Sequence, residues 1–127
     1  MAGGEERSQI PKSIGPYSQA KGAGGFLFLS GQIPIDPATG QTIAGGIEHQ
    51  AERVLLTIQT ILTSRGFTLS HVVKTTLFLQ DLKDFEKVNQ VYARFFPVTP
   101  PARSTVQVSG LPKGVGLEIE VIAYQEP

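Results

Sequence analysis

Leu117-Glu118-Ile119-Glu120-Val121-Ile122-Ala123-Tyr124 carries an apolar residue at every second position, the period of a strand with one face against a core. Leu117, Ile119, Val121 and Ala123 are expected to face that core, and Glu118, Glu120, Ile122 and Tyr124 the other side. One strand earlier, Arg103 to Val108 reads as its antiparallel partner across the loop Ser109 to Gly116. If Val106 and Val108 share the core face with Ile119 and Val121, then Arg103, Thr105 and Gln107 fall on the side of Glu118 and Glu120. The pattern leaves the register open, and with it which glutamate lies nearer Arg103.

Working outward, Ile47, Ala51, Val54, Leu55, Ile58, Ile61 and Leu62 recur at the helical period, with Gly66 placed to end the helix. A second stripe, Phe85, Val88, Tyr92, Phe95 and Phe96, is opened by Asp81 as N-cap and closed by Pro97. Between them Val72 to Leu79 is short and rich in β-branched residues, as a strand should be. Ile14 to Ala20 reads as a short strand running into a turn at Gly22, Gly24 and Gly25. Phe26-Leu27-Phe28-Leu29 is apolar throughout, so it is expected to lie centrally with both faces covered. Strand, strand, helix, strand, helix, strand, strand is an α+β order, with two helices on one face of a mixed sheet, close to a ferredoxin-like arrangement. Two helices cannot cover the second face, and a second copy of the chain is the simplest partner for its apolar end.

The chain of 127 residues is the size of one domain, expected over 1–127 with a frayed start at 1–9. Eleven Lys+Arg balance eleven Asp+Glu, which argues against a nucleic-acid or anionic-membrane partner. No apolar run reaches the roughly 20 residues of a membrane span. The start lacks the apolar core of a signal peptide and the arginine-rich character of a transit peptide, so the cytoplasm is the expected address. With no cysteine, disulfides, thiolate ligands and a cysteine nucleophile are excluded. His49 and His71 lack metal-motif spacing, and the glycine-rich pieces match neither a Walker loop nor a dinucleotide fingerprint, so no metal or cofactor is expected.

The chemistry-bearing candidates are Arg103, whose planar fork can grip a carboxylate with two parallel hydrogen bonds, and a neighbouring glutamate able to move protons. On spacing alone such a pair on adjacent strands is more often a structural or surface ion pair. Several segments shift that weighting: Ile14-Gly15-Pro16-Tyr17-Ser18-Gln19-Ala20, Ser30-Gly31-Gln32-Ile33-Pro34, Val73-Lys74-Thr75-Thr76, Asp84-Phe85 with Val88-Asn89, Pro101-Ala102-Arg103-Ser104, Leu111-Pro112-Lys113-Gly114 and Ile119-Glu120. Together, in this order and spanning almost the whole chain, they resemble the signature segments of the YjgF-like Rid (reactive intermediate deaminase) family.

The resemblance implies a chorismate-mutase-like fold and a homotrimer with ligand clefts between subunits. It also implies hydrolysis of 2-iminobutanoate or 2-iminopropanoate, released by pyridoxal-phosphate enzymes, to the 2-oxo acid and ammonia, with no cofactor. It assigns the substrate carboxylate to Arg103 and the hydrolytic water to Glu118. Tyr17, Ser30, Gly31 and Asn89 take cleft positions, and Thr105 stands where many relatives have cysteine, which suits water addition rather than thiol attack. Two rival activities accompany it. One is an endoribonuclease or translation inhibitor, against which the neutral charge and the lack of an evident aromatic stacking platform argue. The other is a non-enzymatic regulator or chaperone binding a small carboxylic acid in the same cleft.

Overall fold

The computed structural model describes residues 10–127; the stretch 1–9, expected to fray, lies outside the described residues. Five strands, β1 (Ala20–Ala23), β2 (Phe26–Gln32), β3 (Val72–Leu79), β4 (Ala102–Gln107) and β5 (Leu117–Tyr124), form one sheet in the order β1-β2-β5-β3-β4. The β3–β4 pair is parallel and the others antiparallel. Helices α1 (Ile47–Ser64) and α2 (Phe85–Phe95) pack on one face, so the fold is the mixed-sheet α+β arrangement the periodicities predict.

The local causes are plain. Helix α1 buries Ile47, Ala51, Val54, Leu55, Ile58, Ile61 and Leu62, the stripe its spacing requires, and Gly66 follows it at φ 79°, a conformation glycine adopts without steric cost. Asp81 accepts a hydrogen bond from the Lys83 backbone N–H at 2.9 Å, opening a 3₁₀ turn at Leu82–Asp84 that runs straight into α2. Strand β5 alternates as expected: Leu117, Ile119, Val121 and Ala123 are buried with Leu77 and Leu79 of β3 and the apolar faces of the helices. The helical layer is tied to the sheet at Gly116, whose N–H donates to Gln50 Oε1 of α1 at 2.9 Å.

Three expectations are corrected. The first strand begins at Ala20, and Ile14 to Gln19 run outside the sheet. Strand β2 lies inside the sheet between β1 and β5, but only one of its faces is covered: Leu27 and Leu29 are buried, while Phe26 and Phe28 stand 41% and 43% exposed on the face without helices. The third bears on the site. β4 and β5 are not neighbours, because β3 lies between them, parallel to one and antiparallel to the other. Arg103, Thr105 and Gln107 pair with Thr75, Leu77 and Leu79, which in turn pair with Val121, Ile119 and Leu117. Since paired residues share a face, Arg103 and Thr105 stand on the helix side, while Glu118 and Glu120, paired with Phe78 and Thr76, stand on the open side. Val106, expected in the core, is 43% exposed on that open side.

Candidate active site

Arg103 is held from four directions on the helix side of β4. Its Nε donates to Thr105 Oγ1 at 2.9 Å and its Nη2 to Asn89 Oδ1 of α2 at 2.5 Å. Its guanidinium carbon lies 4.8 Å from the ring centre of Tyr92 and 5.3 Å from that of Phe85, both within cation–π range. Tyr92 is itself fixed by a buried 2.8 Å hydrogen bond with Thr75. Burial pushes the Tyr92 hydroxyl above its ordinary pKa, against the opposing pulls of Thr75 and of the Arg103 charge, so at neutral pH it stays protonated and does not neutralise the guanidinium. Among the described residues the one ion pair is Arg94–Glu52 at 3.1 Å on the surface, so no carboxylate compensates Arg103. A half-buried arginine with its guanidinium fixed and no described carboxylate beside it has the chemistry to bind an anion.

A separate cleft forms on the open side, at the end of the sheet where β2 meets β5. Its outer part, of about 440 Å³, is lined by Ile14, Tyr17, Ser30, Gly31, Pro112, Glu118 and Glu120. A narrower recess of about 40 Å³ continues behind Glu118 between Gln19, Gln32, Ile33 and Ile35. That recess is large enough for a few water molecules, since one needs roughly 10–15 Å³ of such space. Ser30 Oγ donates to the Ser18 carbonyl at 2.6 Å, holding the segment that carries Tyr17. The Glu118 carboxyl is raised above the ordinary carboxylate range, first by its partial burial and then by the charge of Glu120.

Of the residues singled out from sequence, Arg103, Asn89 and Thr105 thus form one cluster, and Tyr17, Ser30, Gly31 and Glu118 another. A single chain does not bring the two together, because they occupy opposite faces of the sheet. Residues 7–125 match the family model described as Endoribonuclease L-PSP. The chain belongs to the endoribonuclease L-PSP family. Relatives in this L-PSP family include a RutC family protein of Pyrococcus horikoshii, 54% identical over 116 residues covering 91% of this chain and 92% of that one. The human 2-iminobutanoate/2-iminopropanoate deaminase is 42% identical over 120 residues, covering 94% of this chain and 88% of the human protein. Among solved structures, Escherichia coli TdcF with bound serine superposes with a TM-score of 0.89 at 42% identity over 94% of this chain and 95% of TdcF. YyfA of Yersinia pestis, a member of the Rid protein family, gives a TM-score of 0.89 at 48% identity over 93% and 94% of the two chains.

Sequence reasoning missed four residues that flank these two candidate clusters in this L-PSP-family chain. Phe85 and Tyr92 read as core positions of the α2 stripe; Tyr92 is buried, but Phe85 stands 39% exposed, and both rings flank Arg103. Their spacing around Asn89, four residues before and three after, puts all three on one helix face and was the available signal. Pro112 and Gln32 line the clefts; both lie in the motif segments quoted above, but the clefts join residues distant in sequence and neither reads as a site residue from its motif. Among the described residues no three His, Cys, Asp or Glu side chains gather as a metal ion would require, and no helix is long and apolar enough to cross a membrane.

Proposed function

We propose that this chain hydrolyses small 2-imino acids to 2-oxo acids and ammonia, in a site completed by two copies of the chain. The observation that carries the reading is the uncompensated Arg103, clamped by Asn89, Thr105, Phe85 and Tyr92. The substrate carboxylate docks there, and the imine carbon reaches the Glu118 cleft of a neighbouring copy. That division of labour is supported by the opposite placement of the two clusters within one chain. It is also supported by the exposed apolar groups Phe26, Phe28, Val73 and Val106, which need covering. A closed homotrimer with a cleft at each subunit boundary satisfies both requirements.

The chemistry follows from the groups present. Water adds through its oxygen to the C=N carbon, the nitrogen takes up a proton, and a carbinolamine results. Its C–N bond then breaks as nitrogen receives a further proton and the hydroxyl loses one, leaving ketone and ammonia. Glu118 relays these protons, a role for which a carboxyl with a raised pKa is better matched than an ordinary one. Free imines hydrolyse unaided, so orientation and one acid–base group suffice for a useful acceleration. The test is Arg103→Lys, which keeps the charge and loses the fork. With 2-iminobutanoate generated in situ by a dehydratase, kcat/KM is expected to fall about 10- to 150-fold, equivalent to about 1.5–3 kcal/mol for hydrogen bonds to a charged group. A lysine variant as active as the parent overturns carboxylate recognition by Arg103.

One observation favours a second reading, binding of RNA. Phe26, Phe28 and Tyr124 form an exposed aromatic cluster with ring centres 4.8 and 6.0 Å apart, and Lys21 lies beside Phe28 on the same face. Assembly through this face would cover it. RNA affinity that rises when the oligomer is split and falls steeply with salt would favour the second reading over the first.

A further inference from the structure

We propose that Gly31 is the seat of the Glu118 carboxylate, a positioning residue whose missing side chain determines where the acid–base group points. A Cβ added at Gly31 would lie 2.1 Å from Glu118 Oε2, 2.6 Å from its Cδ and 2.9 Å from its Cγ, all far inside contact distance. The carboxylate therefore rests in the hollow that glycine leaves. The demand is for space and not for backbone freedom: Gly31 is absent from the described residues with positive φ, which are Lys113 and glycines 24, 25, 40, 45, 66 and 114.

The hollow has a structural origin. Between Leu29, paired with Val121, and Gln32, paired with Ile119, strand β2 has one residue more than β5, so Ser30 and Gly31 together face Glu120. The irregularity turns Gln32 into the core, 4% exposed, where its Nε2 donates to the Ser30 carbonyl and to Gln19 Oε1, each at 2.9 Å. Those bonds hold the backbone of Gly31 under the Glu118 side chain. The group displaced by a methyl at Gly31 is the free end of a flexible side chain, so Gly31→Ala should fold normally while swinging the carboxylate toward Ser30 and Glu120. By contrast Gly110 has nothing near its missing Cβ, and Gly110→Ala serves as a control.

The inference rests on Glu118 as the acid–base group, and its test separates the two ideas. Gly31→Ala, Glu118→Ala and the double variant are assayed for imine hydrolysis, with thermal unfolding to confirm folding and a crystal structure of Gly31→Ala. Gly31→Ala is expected to lower kcat about 10- to 100-fold with KM changed less, since the Arg103 cluster is untouched. Adding it to Glu118→Ala should cost less than about twofold, because no carboxylate remains to displace. The crystal structure should show the carboxylate out of the hollow. Parental kcat in Gly31→Ala, or a carboxylate still lying over residue 31, overturns the seat. Full activity in Glu118→Ala instead overturns the acid–base role, while the crystal structure still decides the seat.

Discussion

Thr105→Val removes one hydroxyl and keeps the shape of the side chain, which isolates what that hydroxyl does. In the structure it accepts the Arg103 Nε–H at 2.9 Å, and with Asn89 it sets the rotation of the guanidinium between the Phe85 and Tyr92 rings. Valine leaves the Nε–H of a half-buried cation without its partner. Losing a hydrogen bond to a charged group costs about 1.5–3 kcal/mol when buried, and partial exposure of both residues discounts this to about 1–2 kcal/mol. If the loss falls on binding, KM rises about 5- to 30-fold with kcat little changed, because the carboxylate is gripped alike in the ground and transition states. The assay is steady-state hydrolysis of 2-iminobutanoate produced in situ, run beside Thr105→Ser, which restores the acceptor and should recover most of the loss. Thr105→Val with the parental KM would refute the claim that this hydroxyl aims the arginine. A serine variant no better than valine would refute it equally.

Other expectations follow from particular groups. Glu120→Gln removes the like charge that helps raise the Glu118 carboxyl, so the acidic limb of the kcat/KM profile should move to lower pH; a limb that stays in place contradicts the coupling. A folded-state pKa above the unfolded one means that the folded chain holds the extra proton between the two values, so the Glu118 contribution to stability falls as pH rises through that window. Glu118→Gln should accordingly melt higher than the parent at neutral pH while losing activity. Thr57 is completely buried on α1 and its hydroxyl has no hydrogen-bond partner, so Thr57→Val should stabilise the fold by about 1 kcal/mol, read from urea unfolding, with turnover unchanged. Phe28→Asp places a charge in the exposed aromatic cluster and should yield a smaller species by light scattering together with loss of turnover. A monodisperse assembly of parental size would remove that face from the proposed subunit contact.

Much of the fold was legible because it is written in local periods. The stripe from Ile47 to Leu62 specifies a helix and its buried side, and the alternation of β5 specifies which residues meet the core, whatever neighbours each element finds. The boundary glycine at 66 and the aspartate at 81 act through bonds within a few residues of themselves. Strand β4 carried no such message. Arg-Ser-Thr-Val-Gln has polar groups on both of its faces, so its parity depends on the neighbour it pairs with, and that neighbour is β3, almost thirty residues upstream in sequence. The insertion of β3 between β4 and β5 reverses the side on which Arg103 stands, and only the tertiary structure could decide it.

The candidate residues themselves could be named from short motifs, since a forked cation and a carboxyl keep their chemical character in any setting. Which of them share a site is a different kind of fact. It depends on strand order, on one extra residue in β2 that brings Gly31 against Glu118, and on a sheet face left bare of helices. Amino-acid sequence alone determined two helices and the buried side of the last strand, and it named the candidate groups, because each is specified by residues close together along the chain. Tertiary structure alone decided that Arg103 and Glu118 look away from each other, because pairing between distant strands is a property of the whole packed sheet.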